Sequence, residues 1–131
     1  MKKNIYVLGN PLVDKDKIPL RLLPKLRELC PQWLFLPLDP TEEVSELDED
    51  LILVDTVIGI HKLTVYHDLR HFALSPRVTV HDYDLPINLG LMQKLGKIKN
   101  VTVIGIPNSG NMNEILMEVI NFLYSHLTLR K

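Results

Sequence analysis

Leu51-Ile52-Leu53-Val54-Asp55 decides how this chain is read: four apolar residues in succession, closed by a carboxylate. A strand with one wet face alternates apolar and polar residues, so an unbroken run is expected of a strand covered on both faces in a parallel sheet. Ile5 to Leu8 and Val101 to Ile106 have the same character, and Trp33 to Leu36 offers a fourth run. Between the runs apolar residues recur at helical spacing: Ile18, Leu22, Leu26 and Leu29, then Leu85, Leu89, Met92 and Leu95, and last Met112, Leu116, Val119, Leu123 and Leu127. Strand alternating with helix predicts an α/β fold, a single-domain three-layer sandwich over residues 1–131 with a mostly parallel twisted sheet and helices on both faces.

The punctuation agrees. Asp84 is placed to cap the second helix with Pro86 in its first turn, and Asn111 followed by Glu114 resembles a capping box before the last one. Pro24 falls inside the first helix, where it removes a backbone donor and is expected to kink or interrupt it. Leu63 to Tyr66 and Arg77 to Val80 read as antiparallel edge strands, with a turn at Ser75-Pro76. Pro37 to Asp50 reads as a solvated acidic connection.

Composition narrows the function. With 131 residues the chain is long enough for one core, and 15 basic against 16 acidic residues leave no field to gather nucleic acid or an anionic membrane. The apolar run after Met1-Lys2-Lys3 stops at Gly9, too short for a secretory signal, and no stretch approaches the roughly 20 residues that span a bilayer. Cys30 is the only cysteine, which excludes an intrachain disulfide and suits a reducing, cytoplasmic setting.

Ligands of open α/β sheets bind beyond the carboxyl ends of the strands, so the residues there carry the functional argument. Gly9 and Asn10 follow the first run as a substrate-binding loop, Gly9 permitting a turn and Asn10 offering a donor and an acceptor. Asp16 follows that turn, Asp55 ends the deciding run, and His81 follows Val78-Thr79-Val80. Two carboxylates and an imidazole suit a divalent metal. Each also has a plainer reading: Asp16 as a helix N-terminal carboxylate, Asp55 as a loop acceptor capping Val57 or a nearby amide, His81 as an ordinary polar residue. His61, His67 and His71 form a competing metal set only if their segment is helical, which its β-branched and aromatic content opposes. Cys30 has no base near it in sequence and reads as a buried thiol. The Gly9-Asn10-Pro11 turn lacks the further glycines or lysine of a phosphate loop, and Asp14 and Asp16 would repel a phosphate.

Taken together, the blocks Val7-Leu8-Gly9-Asn10-Pro11-Leu12-Val13-Asp14-Lys15-Asp16, Leu53-Val54-Asp55-Thr56, His81-Asp82-Tyr83-Asp84-Leu85-Pro86-Ile87 and Val103-Ile104-Gly105-Ile106-Pro107 resemble, in order and separation, those of the hydrogenase maturation proteases. That resemblance implies an endopeptidase that recognises nickel already loaded into a hydrogenase large-subunit precursor and removes a C-terminal extension. It assigns Asp16, Asp55 and His81 to the metal-contact and catalytic positions. Nickel would arrive with the precursor, another divalent metal being an option.

The chain departs from the family pattern where Val7 stands for a glycine, Lys15 for an aspartate and Asp16 for a glutamate longer by one carbon. Lys15 and the shorter Asp16 favour the alternative, a noncatalytic metal-sensing or chaperone-like maturation domain on the same fold. An unrelated hydrolase with this sheet topology is the third reading, since fold alone does not fix chemistry.

Overall fold

The deciding run is the centre of the sheet. In the computed structural model, which describes residues 3–8, 18–38, 50–57, 59–67, 90–107 and 109–127, it becomes strand β3, Asp50–Val57, buried at every position after Asp50. Strands β1 (Lys3–Leu8) and β5 (Asn100–Pro107) flank it, both parallel to it. Strand β2 (Trp33–Leu38) lies parallel outside β1, and the short β4 (Thr64–Tyr66) runs antiparallel outside β5, giving the order β2-β1-β3-β5-β4. The α/β architecture and the antiparallel edge strand near Leu63 to Tyr66 are therefore as the sequence implies.

Period-two alternation sends each central strand's side chains into two cores. Ile5, Val7, Ile52, Val54, Ile104 and Ile106 face helices α1 (Ile18–Leu29) and α3 (Met112–Phe122). Tyr6, Leu8, Leu51, Leu53, Val101 and Val103 face the other way, against Ile98 and Met92 of the helical residues 90–94, here α2. Helices thus cover both faces, which is why β3 carries no polar alternation.

Four details differ from the sequence reading. Helix α1 continues through Pro24 without the interruption that is one of the two expected outcomes; Pro24 is exposed, while Ile18, Leu22, Leu23 and Leu26 are buried. Burying four such side chains, at about 1.5–3 kcal/mol each, outweighs the roughly 3 kcal/mol that an interior proline costs. Leu29 is exposed and Cys30 takes its place, because the buried ridge follows the i+4 row Leu22, Leu26, Cys30. Leu95 is also exposed, since α2 ends just before it. Gly96, at φ +76°, donates to the Gln93 carbonyl and Lys97 to that of Met92, the paired bonds of a glycine-terminated helix. Pro37 and Leu38, read as the start of a connection, belong to β2, where an edge strand tolerates proline.

The last helix starts as its sequence indicates: the Asn111 side chain accepts from the amides of Asn113 and Glu114 at 2.9 and 3.2 Å. Leu116, Val119 and Leu123 are buried, and the chain widens into a π-helical turn at Leu123–Leu127. The cap at Asp84 and Pro86, the strand at Arg77 to Val80 and the turn at Ser75-Pro76 lie outside the described residues. Among those described, no helix is long and apolar enough to cross a membrane.

Candidate active site

Chain order against sheet order locates the site. From β1 the chain passes through α1 to β2 on one side, whereas β3 pairs with β1 on the other, so the winding reverses between β1 and β3. Loops leaving the carboxyl ends of two such strands diverge to opposite faces and leave a crevice between them. Tyr6 pairs with Leu53 and Val7 with Val54, which sets Leu8, the last residue of β1, level with Asp55. The candidate binding loop, Gly9 and Asn10, is the next stretch of chain after Leu8.

Asp55 is 2% exposed, in a row of otherwise apolar buried residues. Its Oδ1 accepts the amide hydrogen of Thr56 at 2.8 Å, so the plainer reading of a carboxylate serving a neighbouring amide is realised one residue on. That bond also fixes the orientation of the carboxylate, as partners behind a metal-binding or catalytic group do. Thr56 is 1% exposed, and its hydroxyl has no hydrogen-bond partner among the described residues. Two polar side chains buried at one strand end are costly to the fold unless that end has work to do.

Alternation puts Asp55 on the Leu51 and Leu53 face, and its register partner on β5 is Gly105. A Cβ at Gly105 would lie 2.9 Å from Tyr66 Cε2, 3.0 Å from Val57 Cγ2 and 3.1 Å from the Thr64 carbonyl oxygen. Glycine is required there because β4 and its tyrosine close over the backbone. The Glu118 carboxylate of α3 fixes the approach to β4 by accepting the Leu63 amide at 2.7 Å. In sequence Gly105 stands out only within the family resemblance, and Tyr66 only as part of an edge strand. The available signal was a lone glycine inside an apolar strand, which marks a close approach.

Of the expected site residues, Asp55 is the one the described structure contains; Gly9, Asn10, Asp16 and His81 lie outside it. Among the described residues, no three His, Cys, Asp or Glu side chains gather closely enough for a metal ion. His61 and His67 are exposed on either side of strand β4, and His71 lies outside the described residues. Cys30 is a buried free thiol, and burial pushes its pKa above the ordinary 9.0 against a smaller opposing hydrogen bond from Tyr124. A thiol so placed is a poor nucleophile.

No family model matches the chain, and no curated protein does. Solved structures do. A hydrogenase maturating endopeptidase from E. coli superposes with a TM-score of 0.66 at 18% identity, over 95% of this chain and 93% of its own. A hydrogenase 3 maturation protease matches at 0.64 and 17%, over 93% and 89%. A hydrogenase 2 maturation peptidase from a Thaumarchaeota archaeon matches at 0.61 and 18%, over 98% and 100%. The fold is that of the hydrogenase maturation endopeptidases. At such identities the likeness is one of architecture, and it spans nearly the whole chain in each case.

Proposed function

We propose that this chain is an endopeptidase that docks the nickel centre of a hydrogenase large-subunit precursor and cleaves off its C-terminal extension. The observation that carries the reading is Asp55: a buried, oriented carboxylate near the carboxyl end of the central strand, beside the point where the winding reverses, in a fold shared with hydrogenase maturation endopeptidases. Asp16 and His81 complete the proposed metal contacts, and Gly9 and Asn10 hold the substrate loop. A carboxylate and imidazole set suits a borderline cation such as nickel, which belongs to the precursor as cargo. With nickel held at this rim, the scissile segment is confined near a carboxylate able to take a proton from attacking water.

The test is incubation with nickel-loaded precursor, followed by mass spectrometry. Release of a C-terminal peptide by the wild type, abolished in Asp16→Ala and Asp55→Ala, is the expected result. Precursor that binds tightly and stays intact would instead identify a noncatalytic maturation domain, the reading favoured by Lys15 and the shorter Asp16.

A further inference from the structure

Helix α3 and strand β4 are tied together at the edge of the sheet by one side chain. The Glu118 carboxylate, half-buried, accepts the Leu63 amide at 2.7 Å, a short bond of the kind a charged acceptor makes. Leu63 itself packs against the core beneath α1 and α3. Residues 59–63, which lead into β4, belong to no helix or strand, and β4 holds β5 through three register pairs: Thr64 with Gly105, Val65 with Ile104 and Tyr66 with Val103. A ladder that short holds its strand weakly, so a charge-assisted bond at its entrance has a large say in where β4 sits.

Alternation carries that hold to the other face of the sheet. Leu63 turns toward α3, whereas Thr64 and Tyr66 turn toward the face that holds Asp55. Asp55, Gly105 and Thr64 are register neighbours across β3, β5 and β4. Contact in that row is close: from where a Gly105 Cβ would stand, Tyr66 Cε2 is 2.9 Å and the Thr64 carbonyl oxygen 3.1 Å away. Close-packed groups transmit a displacement, so a shift of β4 reaches the Gly105 backbone and, through it, Asp55.

We infer that Glu118 is a positioning residue of the Asp55 site, acting from the opposite face of the sheet by holding β4 at Leu63 and so pressing Tyr66 onto Gly105 beside the carboxylate. This inference rests on the proposed peptidase function. In this role Glu118 needs no contact with substrate; it sets the geometry in which Asp55 meets the scissile segment.

The test compares wild type, Glu118→Ala, Glu118→Gln and, as a control on the α3 surface, the exposed Met117→Ala, by amide NMR and by cleavage of nickel-loaded precursor. Glu118→Ala moves the Gly105 and Thr56 amide resonances and lowers kcat about 10-fold with KM little changed, because misplacing a reacting group from a distance carries effects of at least that size. Glu118→Gln keeps an acceptor for the Leu63 amide and restores most of both readouts, and Met117→Ala leaves both as in the wild type. Unmoved Gly105 and Thr56 resonances in Glu118→Ala overturn the inference, as do moved resonances with wild-type kcat, or the same effects in Met117→Ala. Moved resonances in Glu118→Ala, when the wild type leaves the precursor intact, overturn the proposed function and leave the coupling of Glu118 to the Asp55 rim standing.

Discussion

The rim of β3 and the face where α1 meets α3 both bury a group that can ionise, and they treat it in opposite ways. On the helix face Cys30 is fully buried beside Trp33 and Tyr124, whose rings meet edge to face at 5.2 Å, and burial keeps the thiol protonated. There the polar side chain is absorbed into packing as a small hydrophobe. At the rim Asp55 is oriented by Thr56, whose own hydroxyl has no partner among the described residues, and Gly105 gives up a side chain so that Tyr66 can cover it. One region has been optimised for the fold; the other gives up stability where the proposed chemistry takes place.

Substitutions break that contrast at different depths. The largest effect is expected from Asp55→Ala, which should lower precursor cleavage by about 100-fold or more while leaving the protein folded, as seen by circular dichroism and a retained melting transition. Loss of folding with Asp55→Ala would make the carboxylate structural.

On the helix face, Leu26→Ala should cost about 2–5 kcal/mol in urea denaturation, and Leu29→Ala under about 1 kcal/mol, because Leu26 is wholly buried and Leu29 is not. Equal losses would mean that the buried ridge has been placed on the wrong row.

Thr56→Val replaces a hydroxyl that has no partner among the described residues with a methyl of similar size and should stabilise the protein by about 1 kcal/mol in the same assay. A destabilised Thr56→Val would show that the hydroxyl is satisfied in solution.

The smallest effect is a pH dependence at Cys30. Below pH 9 the thiol is protonated in both states, so its contribution is complete. As pH rises through 9.0 the unfolded chain loses its proton first, and stability falls until the buried thiol ionises in turn. Cys30→Ala should therefore flatten the loss of stability between pH 8 and pH 10 relative to wild type. An identical slope in the two proteins would remove Cys30 as the cause.

The sequence exposes the parts of this molecule ruled by periodicity. Unbroken apolar runs identify β1, β3 and β5, and the Asn111 cap marks α3, because burial on two faces and amide capping each leave a local pattern. What stayed hidden depends on three dimensions. Leu29 and Leu95 fit a helical stripe on paper, yet one yields to the neighbouring i+4 row and the other follows the last turn of α2. Pro24 looks like a helix breaker until four buried leucine and isoleucine contacts are set against it. Asp55 was legible because a carboxylate closing an apolar run is conspicuous, although the strand itself continues to Val57. Tyr66 was not, since its place beside Asp55 comes from antiparallel pairing across Gly105.

The central claim is that the Asp55 carboxylate of β3 shares one cation site with Asp16 and His81, and metal-edge anomalous diffraction from nickel-soaked crystals addresses it directly. The account predicts a single strong peak bonded to Asp55, Asp16 and His81 at about 2.0–2.2 Å. Nickel held by His61 or His67 instead, with Asp55 remote from both Asp16 and His81, would contradict it.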